Sequence, residues 1–304
     1  MGKNRKYIAY ICVSCSGPEN GMKIRIRGVS FRTRNGADLK HTTADSDWFY
    51  SHVQEDAYTE GCQTKHFRLV NPSIREFAST LEDAVSFLMT FSNKPNWDGG
   101  AIVLIYAGHG QKNTGAFVFT KRCLSLEARD FVAFLANKIP NSRHRLRIDA
   151  LIDSCHSGGF IANLLWSAHN EHNDKIFPCT LFASSLPDEV ALEADKFRHG
   201  VFTYSYMEGY RMPSLALALA QAKWKLIPKM WLYQFFGRNK RRLIEGGVSF
   251  LTDKRQHSIE YENGYLEVHN HGAFRIESEN YEFETIIEAM EKARYMDRHE
   301  EFSI

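Results

Sequence analysis

The sequence predicts an α/β fold: a mostly parallel sheet with helices on both faces, followed by a small α+β region. Three observations carry this. The stretches "AIVLIYA" (101–107), "LRIDALI" (146–152) and "CTLFAS" (179–184) are short and apolar-rich, the pattern of strands covered on both faces. Segments with helical spacing of apolar residues separate them, and such alternation implies parallel pairing. Beyond residue 211 the pattern changes to short alternating stretches around "NG" and "HG" turns, as in an antiparallel meander.

Taken in order, residues 7–13 form a first strand. "MKIRIRGVSFRT" (22–33) alternates apolar and charged residues, the period of a half-exposed strand. "DSDWFYSHVQEDAY" (45–58) reads as a helix with Asp or Ser as its cap, and "HFRLV" (66–70) as a short strand. In "NPSIREFASTLEDAVSFLMTF" a turn with Pro72 leads into a helix whose buried stripe is Ile74, Phe77, Leu81, Val85 and Leu88. Residues 125–138 give a helix capped by Ser125. "FIANLLWSAHNEHND" is helix, then loop, and "TYSYMEGY" (203–210) starts another helix. "GVSFLT", "HSIEYE", "YLEVHN" and "AFRIE" form the meander, and "NYEFETIIEAMEKARYM" closes as a helix. The chain thus divides into 1–211 and 212–304, the second part without an assigned role.

Composition narrows the function classes. The chain has 304 residues, 43% of them hydrophobic, ample for a packed core, and a formal charge of +2. Nothing in that balance points to nucleic acid. The basic cluster "RNKRR" (238–242) reads as a solvated turn, with a polyanion or membrane-surface contact as the alternative. No run of 18 apolar residues is present, so no membrane span is expected. The opening "MGKNRK" and its apolar run read as a strand rather than a signal peptide, since the run holds two tyrosines and leads into the turn "SGPENG". Lys6 breaks the myristoylation pattern. Six cysteines without paired spacing fit a reducing, cytoplasmic compartment. Cys12 and Cys15 form a lone CxxC that reads as strand packing, with a redox or metal pair as the alternative. No metal and no cofactor is expected.

Two inner strands end in abrupt glycine-bearing turns: "YAGHG", with His109 between Gly108 and Gly110, and "DSCHSGG", with Cys155. Open α/β sheets hold ligands outside the carboxyl ends of their strands. The 46 residues between the two turns suffice for one crossover, so the turns can share a crevice. A thiol of ordinary pKa is mostly protonated at neutral pH, and an imidazole beside it can take its proton and later protonate a leaving amine. Asp153 lies two residues before Cys155, so in a strand both side chains share one face. It either lines a pocket there or caps the following turn. His156 should point away from its neighbour and reads as structural.

These elements resemble the caspase-like cysteine peptidases, in particular metacaspases and their bacterial relatives: "YAGHG", "DSCHSG" and, more loosely, "FASS" followed by "HGVFTYSYM". The resemblance spans roughly residues 65–210. It implies a three-layer sandwich and a cysteine endopeptidase that cuts protein or peptide substrates after a basic residue. A non-catalytic binding or scaffold module of the same fold is the alternative. It implies Cys155 as nucleophile, His109 as base, and the N–H groups of Gly110 and Cys155 as oxyanion donors. Asp153 would line the pocket for the basic residue. A second acid after the first strand would share that role, Asp47 being the candidate, and Ser184 would also meet the substrate. The family's bacterial members imply an activating partner in a stress or defence setting. Calcium-dependent metacaspases carry an acidic segment between the two motifs; here residues 111–123 hold no carboxylate, so calcium independence is expected.

Overall fold

The computed structural model describes residues 7–17, 39–55 and 62–203, with short interruptions at 96, 98, 120–123, 141–144, 192, 195–197 and 201. It also describes 23–26, 29–32, 259–262, 265–268, 273–275, 286–288 and 290. The boundary at residue 211, "RNKRR", "GVSFLT", Cys123 and most of the two C-terminal helical stretches lie outside the described residues.

The strands are β1 (Tyr7–Cys15), β2 (Lys23–Ile26), β3 (Val29–Arg32), β4 (Gln63–Val70), β5 (Ala101–Gly108), β6 (Phe117–Phe119), β7 (Leu124–Leu126), β8 (Leu146–Ser154), β9 (Ile176–Ala183), β10 (Glu193–Ala194), β11 (His199–Gly200), β12 (Ile259–Glu262), β13 (Tyr265–Val268) and β14 (Ala273–Arg275). The helices are α1 (Thr42–Glu55), α2 (Ile74–Met89), α3 (Ala128–Lys138) and α4 (Ser157–Asn170). The main sheet runs β14-β13-β12-β9-β8-β5-β1-β4. Its five strands β9, β8, β5, β1 and β4 are parallel, and β12 joins β9 antiparallel. The meander expected after residue 211 is present as β12–β14, and it continues the same sheet that the residues before 211 build.

Residue period explains the three layers. Cys12, Ile105, Leu151 and Phe182 are register partners in one row across four strands. They cluster with Phe49 of α1. The adjacent row, Ile11, Leu104, Ala150 and Leu181, points to the opposite face. There it packs with Leu81 of α2, Phe131 of α3 and Phe160 of α4. Each fully buried Leu, Ile or Phe among these contributes about 1.5–3 kcal/mol. The α2 stripe is the expected one, and Ser73 with Glu76 forms a capping box before it: Ser73 Oγ accepts the Glu76 N–H at 3.2 Å while Glu76 accepts the Ser73 N–H at 2.6 Å.

Three local expectations change. Residues 22–33 form the two-stranded hairpin β2–β3 rather than one strand. Ser125 does not cap α3: it pairs with Val118 in the β6–β7 ladder, and α3 starts at Ala128. The helix expected from residue 45 starts three residues earlier, which puts Asp45 in its first turn. No described helix is long and apolar enough to cross a membrane.

Candidate active site

The ladder between β5 and β8 ends on the pair Gly108↔Ser154. His109 and Cys155 are the next residues on the two strands, which lie roughly 5 Å apart. The two turns therefore leave the sheet side by side. In 151–160 every residue but Cys155 is buried; Cys155 is partly exposed, as is His109. The apolar strands thus end at two partly exposed residues, with the Nε2 atom of His109 itself buried.

Both turns are held by backbone contacts. The His109 carbonyl accepts from Tyr106 Oη at 2.8 Å and from the Val118 N–H at 3.1 Å. Tyr106 is fully buried, and burial pushes its phenol well above its ordinary pKa, so it stays a neutral donor. Its ring stacks on Phe117, centroids 3.9 Å apart, and Phe117 stacks on Phe160 of α4 at 4.0 Å. One aromatic column thus ties the His109 turn to the helix behind Cys155. Gly110 is required by this approach: a Cβ there would collide with the Cys155 carbonyl.

The Cys155 turn changes strand into helix within two residues. His156 adopts φ 59°, the left-handed region that disfavours residues with a Cβ. It is held there by its N–H, donated to the Glu189 carbonyl at 2.8 Å, and by Nδ1–H, donated to the Pro187 carbonyl at 2.8 Å. His156 is 9% exposed and bound to backbone, the structural place that the sequence points to. Helix α4 begins at Ser157, so the positive end of its dipole faces the turn that carries the sulfur. Cys155 Sγ lies 3.8 Å from the Ala191 carbonyl.

Asp153 sits on the face that also carries Ala107 and Ser14, and that face looks toward α1. It is 8% exposed. Its Oδ2 accepts from Thr203 Oγ1 at 2.6 Å and from the Thr203 N–H at 3.2 Å, where a helical turn starts. Beside it stands Asp45. Asp45 Oδ1 accepts from His199 Nδ1 at 2.7 Å, and its Oδ2 from the Gly200 N–H at 3.1 Å. A Cβ on Gly200 would lie 2.5 Å from Asp153 Oδ2 and 3.4 Å from Asp45 Oδ2. The two acids therefore flank one small volume that only glycine leaves open.

Asp47, the second acid expected there, is elsewhere. It pairs with Arg68 at the sheet edge, with its side chain 44% exposed. Two residues along a helix turn the side chain by about 200°, so Asp45 and Asp47 face opposite ways. Ser184, expected at the substrate, is fully buried behind the Cys155 turn and bound to the backbone of Ser154. The sequence offered a signal for Asp45, because "DSDWF" holds two acids, but the helix start decides which one faces the sheet. For His199 and Thr203 the pointer was "HGVFTY", quoted above without roles for its residues.

The CxxC has no common site. Cys12 belongs to the cluster under α1 and Cys15 to that on the other face, three residues being an odd step in a strand. Among the described residues no group of three His, Cys, Asp or Glu is arranged to hold a metal.

No protein-family profile matches the chain. No curated protein matches it in sequence. Among solved structures it is similar to a protein of Geobacter sulfurreducens, with a TM-score of 0.42 and 14% identity over 72% of this chain and 89% of that one. It is also similar to caspase-1 from Spodoptera frugiperda, with a TM-score of 0.43 and 14% identity over 85% and 87%. Likeness at this level assigns no activity, so the chemistry rests on the site's own geometry.

Proposed function

We propose that the chain is a cysteine endopeptidase that cuts after basic residues. The observation that supports it most is the pair of turns: His109 and Cys155 follow directly on the paired row Gly108↔Ser154 and are partly exposed at the carboxyl end of a buried sheet. In this reading His109 takes the thiol proton and Cys155 Sγ attacks the scissile carbonyl carbon. The oxyanion that forms accepts from the N–H groups of Gly110 and Cys155; losing one such donor typically costs about 10²–10³ in turnover. Collapse breaks the C–N bond, and protonated His109 gives its proton to the leaving amine. Water, deprotonated by His109, then releases the acid product from the thioacyl-enzyme.

Asp45 and Asp153 supply the basic preference, with Asp45 in the role first given to Asp47. Carboxylates accept two parallel hydrogen bonds from a guanidinium, so arginine should bind better than lysine and acidic residues should be repelled. Fluorogenic peptides that differ only at the residue before the cut test the reading. Cleavage after arginine, blocked by iodoacetamide, is the expected outcome. Cleavage after aspartate would remove the acid pair from the pocket, and undiminished cleavage by Cys155→Ala would end the mechanism.

A further inference from the structure

Directly behind the nucleophile turn lies a buried cluster of serine hydroxyls. Ser184 and Ser185 follow β9, and both are fully buried, as is Ser157 at the start of α4. Ser184 Oγ accepts the Ser154 N–H and donates to the Ser154 carbonyl, each at 3.1 Å. Ser185 Oγ donates to the same carbonyl at 3.0 Å and accepts the Ser157 N–H at 3.2 Å. Ser157 Oγ in turn accepts the Ser185 N–H at 3.1 Å. Two hydroxyl donors thus converge on one carbonyl oxygen.

That carbonyl belongs to the peptide unit whose other half is the Cys155 N–H. The unit is planar and conjugated. Hydrogen bonds accepted by its oxygen withdraw electron density and make its N–H a stronger donor, a cooperative gain of about 10–30% per bond. The same two bonds fix the plane of the unit, and so the direction in which the Cys155 N–H points. Tying β8 to β9 does not need them: the backbone ladder already runs to Ile152↔Ala183, and the Ser184 N–H continues it onto the Ile152 carbonyl at 2.9 Å.

We propose that Ser184 and Ser185 are positioning residues for catalysis, whose hydroxyls on the Ser154 carbonyl orient and polarise the Cys155 N–H as an oxyanion donor. This rests on the peptidase reading above. It replaces the substrate contact that the sequence suggests for Ser184 and gives Ser185 a role of its own.

Two probes separate oxyanion support from general upkeep of the turn. A peptide aldehyde ending in arginine adds Cys155 Sγ to its carbonyl carbon and builds an oxygen in the oxyanion position. Iodoacetamide alkylates the same sulfur by displacing iodide and builds none. For Ser184→Ala and Ser185→Ala we expect kcat to fall about 10-fold, less than loss of a whole donor, with KM within about 2-fold. Aldehyde affinity should fall in parallel with kcat, while the rate of Cys155 alkylation stays at the wild-type value. Should an alanine variant not fold, Ser184→Cys fills the site with a slightly larger group of the same connectivity and a far weaker donor and carries the same test, the adduct being located by peptide mass. Unchanged kcat and aldehyde affinity would overturn the proposal. So would a parallel loss of aldehyde binding and alkylation, which would mean that the serines merely hold the turn in place. A wild-type chain that cleaves no peptide would instead refute the peptidase reading, an outcome visible before any serine is changed.

Discussion

Cys12 and Cys15 within β1 and Cys155 just past the end of β8 belong to one sheet, and their fates differ. In β1, Cys12 and Cys15 lie inside the sheet, both fully buried, on opposite faces. Burial, with a lesser push from the Asp47 charge, drives the Cys12 thiol up to about 12. In β8 the cysteine comes one residue past the last paired row, where the chain turns into a helix and the neighbouring strand delivers a histidine. Position relative to the end of the strand separates the packed thiols from the one to which the proposed mechanism gives chemistry. A CxxC looks more reactive on paper than a lone cysteine, yet here the lone one stands at the carboxyl ends of the strands, where open α/β sheets in general hold ligands.

Removing each thiol should have the most unequal consequences. Cys155→Ala should lower kcat/KM by about 10⁴-fold or more, the scale of a lost nucleophile. Cys12→Ala should leave kcat within about 2-fold and affect only stability. Steady-state kinetics on both variants settles the contrast; comparable losses of activity would erase it.

The acids give a second, smaller contrast. Truncating one partner of a desolvated charge pair costs on the order of 2–5 kcal/mol. Asp153→Ala and Asp45→Asn should therefore reduce kcat/KM for arginine substrates roughly 30-fold to a few thousand-fold. Asp47→Asn, which loses only an exposed pair with Arg68, should change it by less than about 2-fold. A pocket that depends on Asp47 and tolerates loss of Asp45 would contradict the assignment.

Calcium should do nothing at either region. With residues 111–123 free of carboxylates, rates measured with millimolar calcium and with excess chelator should agree within experimental scatter. A large, chelator-reversible activation would locate a calcium site elsewhere in the chain.

The smallest effect concerns the edge of the sheet beside β1. His66 of β4 stacks on Tyr10, centroids 4.9 Å apart, and burial holds its imidazole below the ordinary value. The folded state therefore favours neutral His66. Its contribution to stability is complete above the unfolded pKa of about 6.5 and declines as pH falls below that value. Denaturant midpoints at pH 7.5 and pH 5 should move closer together in His66→Gln. An unaltered gap would show that His66 does not titrate with unfolding.

Much of this architecture was legible in the residues. The apolar-rich runs at 101–107, 146–152 and 179–184 mark inner strands because only strands covered on both faces can be apolar at successive positions. The turns at His109 and Cys155 stood out through their glycines. What stayed hidden depends on contacts distant in sequence. Ser125 resembles a cap until its pairing with Val118 is known. Asp45 and Asp47 can be told apart only by the start of α1 and the face that it turns to Asp153. Ser184 and Ser185 look like loop residues until the Ser154 carbonyl, thirty positions away, is seen between them. Nor does the changed period after residue 211 reveal that β12 adds itself to β9.

If Cys155 is the nucleophile and His109 its base, covalent capture will report on both residues. A peptide chloromethyl ketone ending in arginine alkylates the thiolate that its own basic residue brings into line. A single adduct is expected, mapped by mass spectrometry to Cys155. It should form at least about 100-fold more slowly in His109→Ala, the range of general-base contributions, and about as fast as in wild type in His156→Ala that has folded. An adduct on Cys12, Cys15 or Cys62 in preference to Cys155, or an equal rate in His109→Ala, would contradict this assignment.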